Sequence, residues 1–404
     1  MPGRRRPKPR NSFLLLVLAL LAALNAQPAA AKELRRSMSA IRPLLMGDAQ
    51  VAVGDESSVM FYNPAGLAWM EEASYDLFLP QFAFNDPVRV ALVDPDRFSE
   101  EIDEVSEELE NEEFDTLLGR QFFTNINIRV PMVILPEKGI SLGLGIDALA
   151  NLQILENRVV PLIRVEFFLD VVGVFGGFGK FGEDLAFGYN LKVINRRGVD
   201  RTYTAGDFIA GAEGGSLSNR PEIKDLEDGV SFTAGGVDLG VLYRFPFARS
   251  WRPRMGLSLL NIGGYDAADG LTGIEFGPRD NEFEPPQAGE LPQINTIGWA
   301  VSPMWMGIRF TIALDIVDFS RTALPGKDFY SRTRLGTEIG FFPHKDGTAR
   351  FAILAGLNGG HSSAGILGRI WIFQVGFGVY TVELGEEKGD NPDRRTIFSL
   401  GVRF

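Results

Sequence analysis

The sequence predicts an all-β protein: a 14-stranded antiparallel transmembrane β-barrel with an N-terminal plug. Three observations support this fold class. An export signal is followed by segments of about 10 residues in which apolar and polar side chains alternate. After that signal, no apolar run reaches the roughly 20 residues that a membrane-spanning helix needs. The chain also ends on an aromatic residue, Phe404, which completes an alternating strand.

The first element is the export signal. A basic head that includes Lys8 and Arg10 precedes an apolar core at residues 13–24, and small residues follow up to Ala31. We therefore expect residues 1–31 to form a signal peptide, cleaved between Ala26 and Ala31. A retained anchor is the alternative, but the apolar core is short for a spanning helix. The signal predicts export to the Gram-negative outer membrane, in contact with its lipids and lipopolysaccharide.

Residues 32–73 are predicted to form the plug. Its most distinctive stretch is an Ala- and Gly-rich run at residues 46–70 that contains Asn63, Pro64, Ala65 and Gly66. Asn before Pro favours a turn, and Pro64 suits the first position of a short helix. Small residues suit a segment that packs tightly inside another structure.

The strands fill residues 74–404. Between residues 307 and 316, Ile308, Phe310 and Ile312 alternate with Arg309 and Thr311. The polar face repeatedly carries charge or Gly, which a polar lumen accepts more readily than a soluble core. We predict fourteen strands, at residues 75–84, 124–134, 139–152, 164–181, 184–197, 231–245, 254–265, 293–303, 306–319, 331–343, 348–358, 362–372, 373–385 and 394–404.

The connections between these strands alternate in length. Long ones at 85–123, 198–230 and 266–292 are predicted to lie outside the cell, and short ones inside. The first long loop is acidic, with twelve carboxylates between Asp94 and Asp115, and it is predicted to be helical at about 94–118. It fits a solvated helix over the barrel mouth, a docking surface for a basic partner, or a site where cations bridge to lipopolysaccharide phosphates.

Several charged residues are predicted to face the lumen, and both signs occur. Two interpretations are open: pairs across the lumen that hold the plug, or a selectivity ladder for ions. These residues are Arg129, Lys192, Asp238, Arg309, Asp315, Arg334 and Glu338.

Composition limits the chemistry of the protein. Of 404 residues none is Cys and only two are His, which excludes disulfides and thiolate metal sites. Residues 177–182 match a G-x-G-x-x-G pattern, but no helix follows them. We expect no cofactor, no metal, no nucleic-acid partner and no enzymatic activity.

The run at residues 46–70 resembles the N-terminal hatch of the FadL-type outer-membrane transporters and of their PorV-like and TraF-like relatives. That resemblance implies a fourteen-stranded barrel plugged by the hatch. The final strand ending in Phe404 resembles the signal that the barrel insertion machinery reads.

Two functions follow from the resemblance. The first is transport of hydrophobic small molecules, such as fatty acids, by plug movement and lateral release. Candidate ligand residues then lie in the second and third long loops: Phe208, Ile209, Leu271, Ile274 and Phe276. The alternative is a barrel that serves as a partner in a secretion or assembly machine.

Overall fold

A computed structural model describes most of the barrel and the segment before it. The described residues are 36, 38–54, 56–93, 121–155, 162–204, 230–248, 250–262, 291–320, 329–343, 349–384 and 391–404. The predicted signal peptide, the acidic helix at 94–118 and the five ligand-loop residues from Phe208 to Phe276 lie outside these residues.

Alternating sequence becomes strand throughout the chain after residue 73. The strands are β1 Ser74–Asn85, β2 Gln121–Leu135, β3 Ile140–Leu155, β4 Leu162–Phe181, β5 Leu185–Thr204, β6 Val230–Arg244, β7 Arg254–Ile262, β8 Ile294–Val301, β9 Met304–Trp305, β10 Ile308–Val317, β11 Thr333–Pro343, β12 Ala349–Asn358, β13 His361–Ile370, β14 Phe373–Glu383 and β15 Pro392–Arg403.

The sheet closes on itself. Each long strand pairs antiparallel with its neighbours in sequence, β1 pairs with β15, and β10 pairs with both β8 and β11. The two-residue β9 only extends the edge beside β10. The prediction of a closed barrel of fourteen antiparallel strands is confirmed, with β9 as one additional short strand.

The side chains separate by face as the alternation requires. In β5, Phe187, Leu191 and Val193 are each about half exposed on the outside, whereas Asn190 and Lys192 between them are buried. An apolar exterior around a closed sheet is the surface of a transmembrane barrel. Among the helices of the described residues, none is long and apolar enough to cross a membrane.

The largest difference between a predicted and an observed strand is in β5. It has 20 residues and continues to Thr204, beyond the predicted end at residue 197. Outward-facing apolar residues end at Val193, and Arg197 and Arg201 are exposed on the same face. The pairing therefore continues past the apolar band, where the pattern that identified the strand is lost.

Short helices lie before and between the strands. They are α1 Ile41–Leu45, α2 Asp86–Val93 and the 3-10 helices η1 Ser57–Phe61, η2 Pro64–Trp69 and η3 Pro136–Lys138. α2 begins at an Asp-Pro pair, as the helix predicted from Asp94 does, but it directly follows β1. The acidic loop therefore starts with a helix eight residues earlier than the pattern indicated.

The two ends of the barrel differ. At one end, here called the turn end, short turns such as Phe181 to Leu185 join the strands, and the chain terminus Phe404 pairs with Tyr75 through N–H···O distances of 3.1 and 3.0 Å. The other end, the loop end, carries the long connections after β1, β5 and β7. Exposed aromatic residues at the turn end include Trp251, Trp305 and Trp371.

Candidate functional site: the inner segment and the lumen wall

The residues before β1 lie inside the barrel. We call residues 38–54 and 56–70 the inner segment. Its apolar side chains are almost all buried, and they form one core with lumen-facing residues such as Met132, Ala186 and Leu242. α1 packs against β12 to β15, and η2 packs against β4, β5 and β6. The segment therefore touches opposite parts of the wall.

Asn63 fixes the course of the inner segment. Its Oδ1 accepts a hydrogen bond from Ala65 N at 3.2 Å and so caps η2, in which Pro64 takes the first position. Its Nδ2 donates to Val51 O at 2.8 Å within the segment and to Val241 O at 3.2 Å in β6. One fully buried side chain thus caps a helix, closes a loop and binds the wall.

Lumen-facing glycines surround the inner segment. A Cβ atom at Gly188 would lie 2.5 Å from Pro64 C, and one at Gly336 would lie 2.5 Å from Met46 O. Real Cβ atoms do not approach so closely, so these positions exclude any side chain. We call the set whose added Cβ would meet the segment the glycine ring: Gly143, Gly145, Gly188, Gly240, Gly256, Gly298, Gly336, Gly356, Gly365, Gly376 and Gly378.

Asp315 binds the backbone of the inner segment. Its Oδ2 accepts hydrogen bonds from Gln50 N at 2.7 Å and from Val51 N at 2.9 Å. Asp315 is fully buried in β10, so both bonds are shielded from water. A carboxylate that accepts two amide hydrogens in such a place is a strong attachment.

Glu338 joins the wall to α1. Its carboxylate is 2.5 Å from Arg42 Nε in the inner segment and 2.9 Å from Arg309 Nη2 in the neighbouring strand. All three side chains are buried. Removing one member would leave a buried charge without its partner, which is costly.

A third attachment involves β5, β6 and β7. Lys192 Nζ lies 2.7 Å from Asp238 Oδ1 and donates to Asn261 Oδ1 at 2.6 Å. Asn190, beside Lys192, donates to Asp238 Oδ2 at 3.2 Å and to Met60 O of the inner segment at 2.8 Å. Lys192 and Asp238 therefore form a pair between adjacent strands that supports the contact of Asn190 with the segment.

Arg129 and Arg334 are buried but differ from these pairs. Arg334 Nη1 donates to Ser331 O at 2.6 Å and to Thr333 O at 3.2 Å. Arg129 makes no hydrogen bond and no ion pair with any described residue, and its Nε is buried without a partner. Nearby, Arg403 holds Asp76 through Nε at 2.5 Å and Nη2 at 3.0 Å.

Trp69 ends the inner segment near the turn end. Arg244 Cζ lies 3.8 Å from the centre of its ring, and Lys180 Nζ lies 4.9 Å from it. Such cation–π contacts are each worth about 0.5–2 kcal/mol. Trp69 therefore connects the last turn of the segment to β4 and β6.

The loop-end half of the lumen has a different wall. Bulky apolar side chains face inward there, including Phe123, Leu149 and Phe168. Arg395 stacks on Phe123, and Arg196 stacks on Phe168 while it pairs with Asp170 at 2.5 Å. A chain of polar contacts crosses the same region, from Asp393 through Asn85, Gln121, Asn151 and Glu166 to Arg164 and Asp200.

The predicted site residues are therefore brought together only in part. The seven charged residues are all buried on the lumen side, and Asn63 to Gly66 lie against β5 and β6. Phe404 lies on the exposed outer face, 53% exposed. Sequence reasoning missed Asp76, Asn190, Trp69 and the glycine ring as contacts of the segment. The alternation of Gly with large apolar residues was the available signal for the ring.

Structural comparison finds solved barrels of similar architecture. The Ralstonia pickettii toluene transporter TbuX is 12% identical over 91% of this chain and 98% of its own, with a TM-score of 0.48. The Pseudomonas putida toluene transporter TodX is 9% identical over 92% and 99%, with a TM-score of 0.47. A Pseudomonas aeruginosa FadL homologue is 11% identical over 93% and 99%, with a TM-score of 0.45. No family model and no curated protein matches the chain.

Metal chemistry finds no support in the part of the chain that the structure describes. No group of three or more His, Asp or Glu side chains is arranged there so that it could hold a metal ion.

Proposed function

We propose that this protein resides in the Gram-negative outer membrane and passes apolar small molecules across it, with the inner segment as a plug that must shift for passage. The observation that carries the proposal is the glycine ring, which is shaped to hold backbone and small side chains of residues 38–70. A lumen filled in this way excludes open diffusion. The resemblance of residues 46–70 to the FadL-type hatch supports the choice of apolar cargo. The proposal assigns no catalytic activity.

The two halves of the lumen support successive steps. The proposal places the first contact of an apolar molecule at the bulky apolar wall around Phe123, Leu149 and Phe168, whose buried side chains must move apart to admit it. Below it, the plug is attached through its apolar core and through polar contacts at Asp315, Glu338 and Asn190. Polar contacts can be exchanged for water when the segment moves, so the plug can shift without losing the barrel.

The wall between β1 and β2 is the place proposed for sideways release. Its pairing stops between Asp76–Met132 and Leu79–Arg129, and β2 carries a register shift against β3 at the same level. Pro131 lies in this gap and cannot donate a hydrogen bond to the ladder. Fewer strand bonds have to break here than in a continuous ladder, so cargo leaves into the bilayer most easily at this position.

Uptake through a plug that can be locked tests the proposal. The chain has no Cys, and the buried Ala49 lies against Gly336, whose partner across the strand pair is the buried Ala313 of β10. A short bis-methanethiosulfonate can join thiols at positions 49 and 313, because both side chains belong to one core. Cells producing Ala49→Cys/Ala313→Cys should take up a radiolabelled alkane or long-chain fatty acid above vector-only cells when reduced. The cross-linker should abolish that uptake and reductant should restore it.

Absence of uptake in both redox states, with the barrel correctly inserted, would contradict the proposal. A role as partner of a secretion or assembly machine would then be favoured. The single variants Ala49→Cys and Ala313→Cys are the matched controls, because neither can form the lock and neither should respond to the cross-linker.

A further inference from the structure

Arg129 differs from the other charged residues that face the lumen. It is 2% exposed, it lies in β2 at the edge of the gap beside Pro131, and no described residue accepts a hydrogen bond from it. An arginine is always charged and carries five N–H donors. Burying a cation without hydrogen-bond acceptors is costly.

The nearest carboxylates are already occupied. The charges of Asp76 and Glu56 both act on Arg129. Asp76, however, forms a two-bond pair with Arg403 and accepts from Ser57 Oγ at 2.5 Å. Glu56 accepts a hydrogen bond from Ser58 Oγ and lies 3.8 Å from Arg42 Nη1. Neither carboxylate pairs with Arg129 unless it abandons these partners.

The other neighbours of Arg129 offer no anion. Its strand partners are Leu79 in β1 and Gly145 in β3, and the space above Gly145 is filled by the methyl end of Met38. The charge of Arg403 repels it, and the Tyr62 phenol stays neutral because burial raises its pKa. The charges that act on the guanidinium are thus those of two carboxylates with other partners and one like charge.

We infer that Arg129 binds a monoanion from outside the chain, either a small ion such as a halide or the carboxylate head of an amphiphile. The missing partner is a single negative charge with several acceptor positions, which both ligands supply. Of the guanidinium nitrogens only Nε is fully buried without a partner, so the two Nη atoms remain open to a small ligand. The site does not depend on transport, because an anion can occupy it whether or not cargo crosses the barrel.

Thermal unfolding of the full-length mature protein in uncharged detergent tests the inference. Bromide or decanoate is added as its sodium salt to a low-salt buffer, and Arg129→Gln at the same concentrations reports the general salt effect. Binding to the folded state should raise the unfolding midpoint saturably, by about 3 °C at 100 times the dissociation constant. A rise with both anions indicates a general monoanion site, and a rise with decanoate alone assigns the site to an amphiphile head; both outcomes support the inference.

Arg129→Gln separates this site from general salt effects. The variant should lose the anion-dependent shift, and without added anion it should unfold no earlier than the wild type because it removes a buried cation without acceptors. Arg350→Gln, at an exposed arginine of β12, should keep the full shift. Crystals of the wild type soaked in bromide should show an anomalous peak beside the Arg129 guanidinium, a readout that does not require the variant to fold.

No saturable shift in the wild type with either anion would overturn the inference. An equal shift in Arg129→Gln would also overturn it. Absence of uptake in both redox states of the locked-plug experiment would leave this result unaffected, so the two proposals fail separately.

Discussion

The two halves of the lumen wall are built from different residues. Around the inner segment the wall is the glycine ring, and backbone of residues 45–65 lies directly against it. Toward the loop end the same strands present Phe123, Leu149 and Phe168, which fill space with their own side chains. The wall is therefore fitted to a peptide at one level only. The inner segment has one position in the lumen, at the level of the glycine ring.

Filling one position of the glycine ring should have the largest effect. A Cβ at Gly356 would meet the backbone of Met46 and Gly47, which cannot rotate away. Gly356→Val should lower the free energy of unfolding by about 3 kcal/mol or displace the segment. Gly173→Val, whose Cβ would have its nearest neighbour at 3.7 Å, is the control and should change stability little. Thermal unfolding and limited proteolysis of residues 38–70 measure both effects. Equal stability of the two variants would show that the glycine ring does not hold the segment.

Removing the Asp315 carboxylate should have the second-largest effect on stability. Asp315→Ala leaves the Gln50 and Val51 amides buried without an acceptor, and we expect a loss of about 2–4 kcal/mol in denaturant unfolding. Asp315→Asn keeps one acceptor oxygen and should lose less. Asp86→Ala, at a half-exposed carboxylate, should be nearly neutral. The account of this attachment is wrong if Asp315→Ala is as stable as Asp86→Ala.

Removing the Asn63 side chain should lower the free energy of unfolding by a smaller amount, through the loss of two kinds of hydrogen bond. Asn63→Ala loses the cap of η2 and both donations, at a cost of about 1–2 kcal/mol. Asn63→Asp keeps the cap but cannot donate to Val51 O or Val241 O. If the donations matter, unfolding experiments will show Asn63→Asp to be destabilised as well; wild-type stability of this variant would assign the role to the cap alone.

Replacing Trp69 should have the smallest effect on stability, but it should clearly increase the leakage of small ions through the barrel. Trp69→Leu loses the contacts with Arg244 and Lys180, worth about 0.5–2 kcal/mol each. Because Trp69 lies near the turn end, we expect a higher small-ion conductance in planar bilayers. Trp305→Leu, at a side chain that is 65% exposed, should conduct as the wild type does. An unchanged conductance in Trp69→Leu would show that this end is closed by other residues.

The barrel could be predicted from the sequence because alternation is a local property. In each strand, alternating residues such as Phe187 and Lys192 show which side chains face outward and which face the lumen. The barrel closes because every long strand pairs with two neighbours. The predicted strand ends were wrong where the outward face stops being apolar, as in β5 beyond Val193. There, hydrogen bonding continues without any change in side-chain polarity to mark it.

The site was harder to predict because its contacts join residues far apart in the chain. Asp315 was recognisable as a lumen charge, but its partners are amides of Gln50 and Val51, which carry no side-chain signal. Interpreting the charges as pairs across the lumen was wrong in part: Lys192 pairs with Asp238 on the next strand, and Arg129 pairs with no described residue. Of the seven predicted lumen charges, Glu338 is the one that pairs with a charge of the inner segment among the described residues, at Arg42.

The position of the inner segment is tested most directly by cross-linking two buried thiols. In Ala49→Cys/Ala313→Cys, both thiols should lie in one core inside the barrel, so a short bis-methanethiosulfonate should link them in most molecules. Mass spectrometry of the digested protein identifies the linked peptides. Ala49→Cys/Gly173→Cys, with its second cysteine on the outer face, should not link. If the two introduced thiols stay unlinked, and a membrane-impermeant reagent labels the one at position 49 as readily as an exposed residue, residues 38–70 do not occupy the lumen.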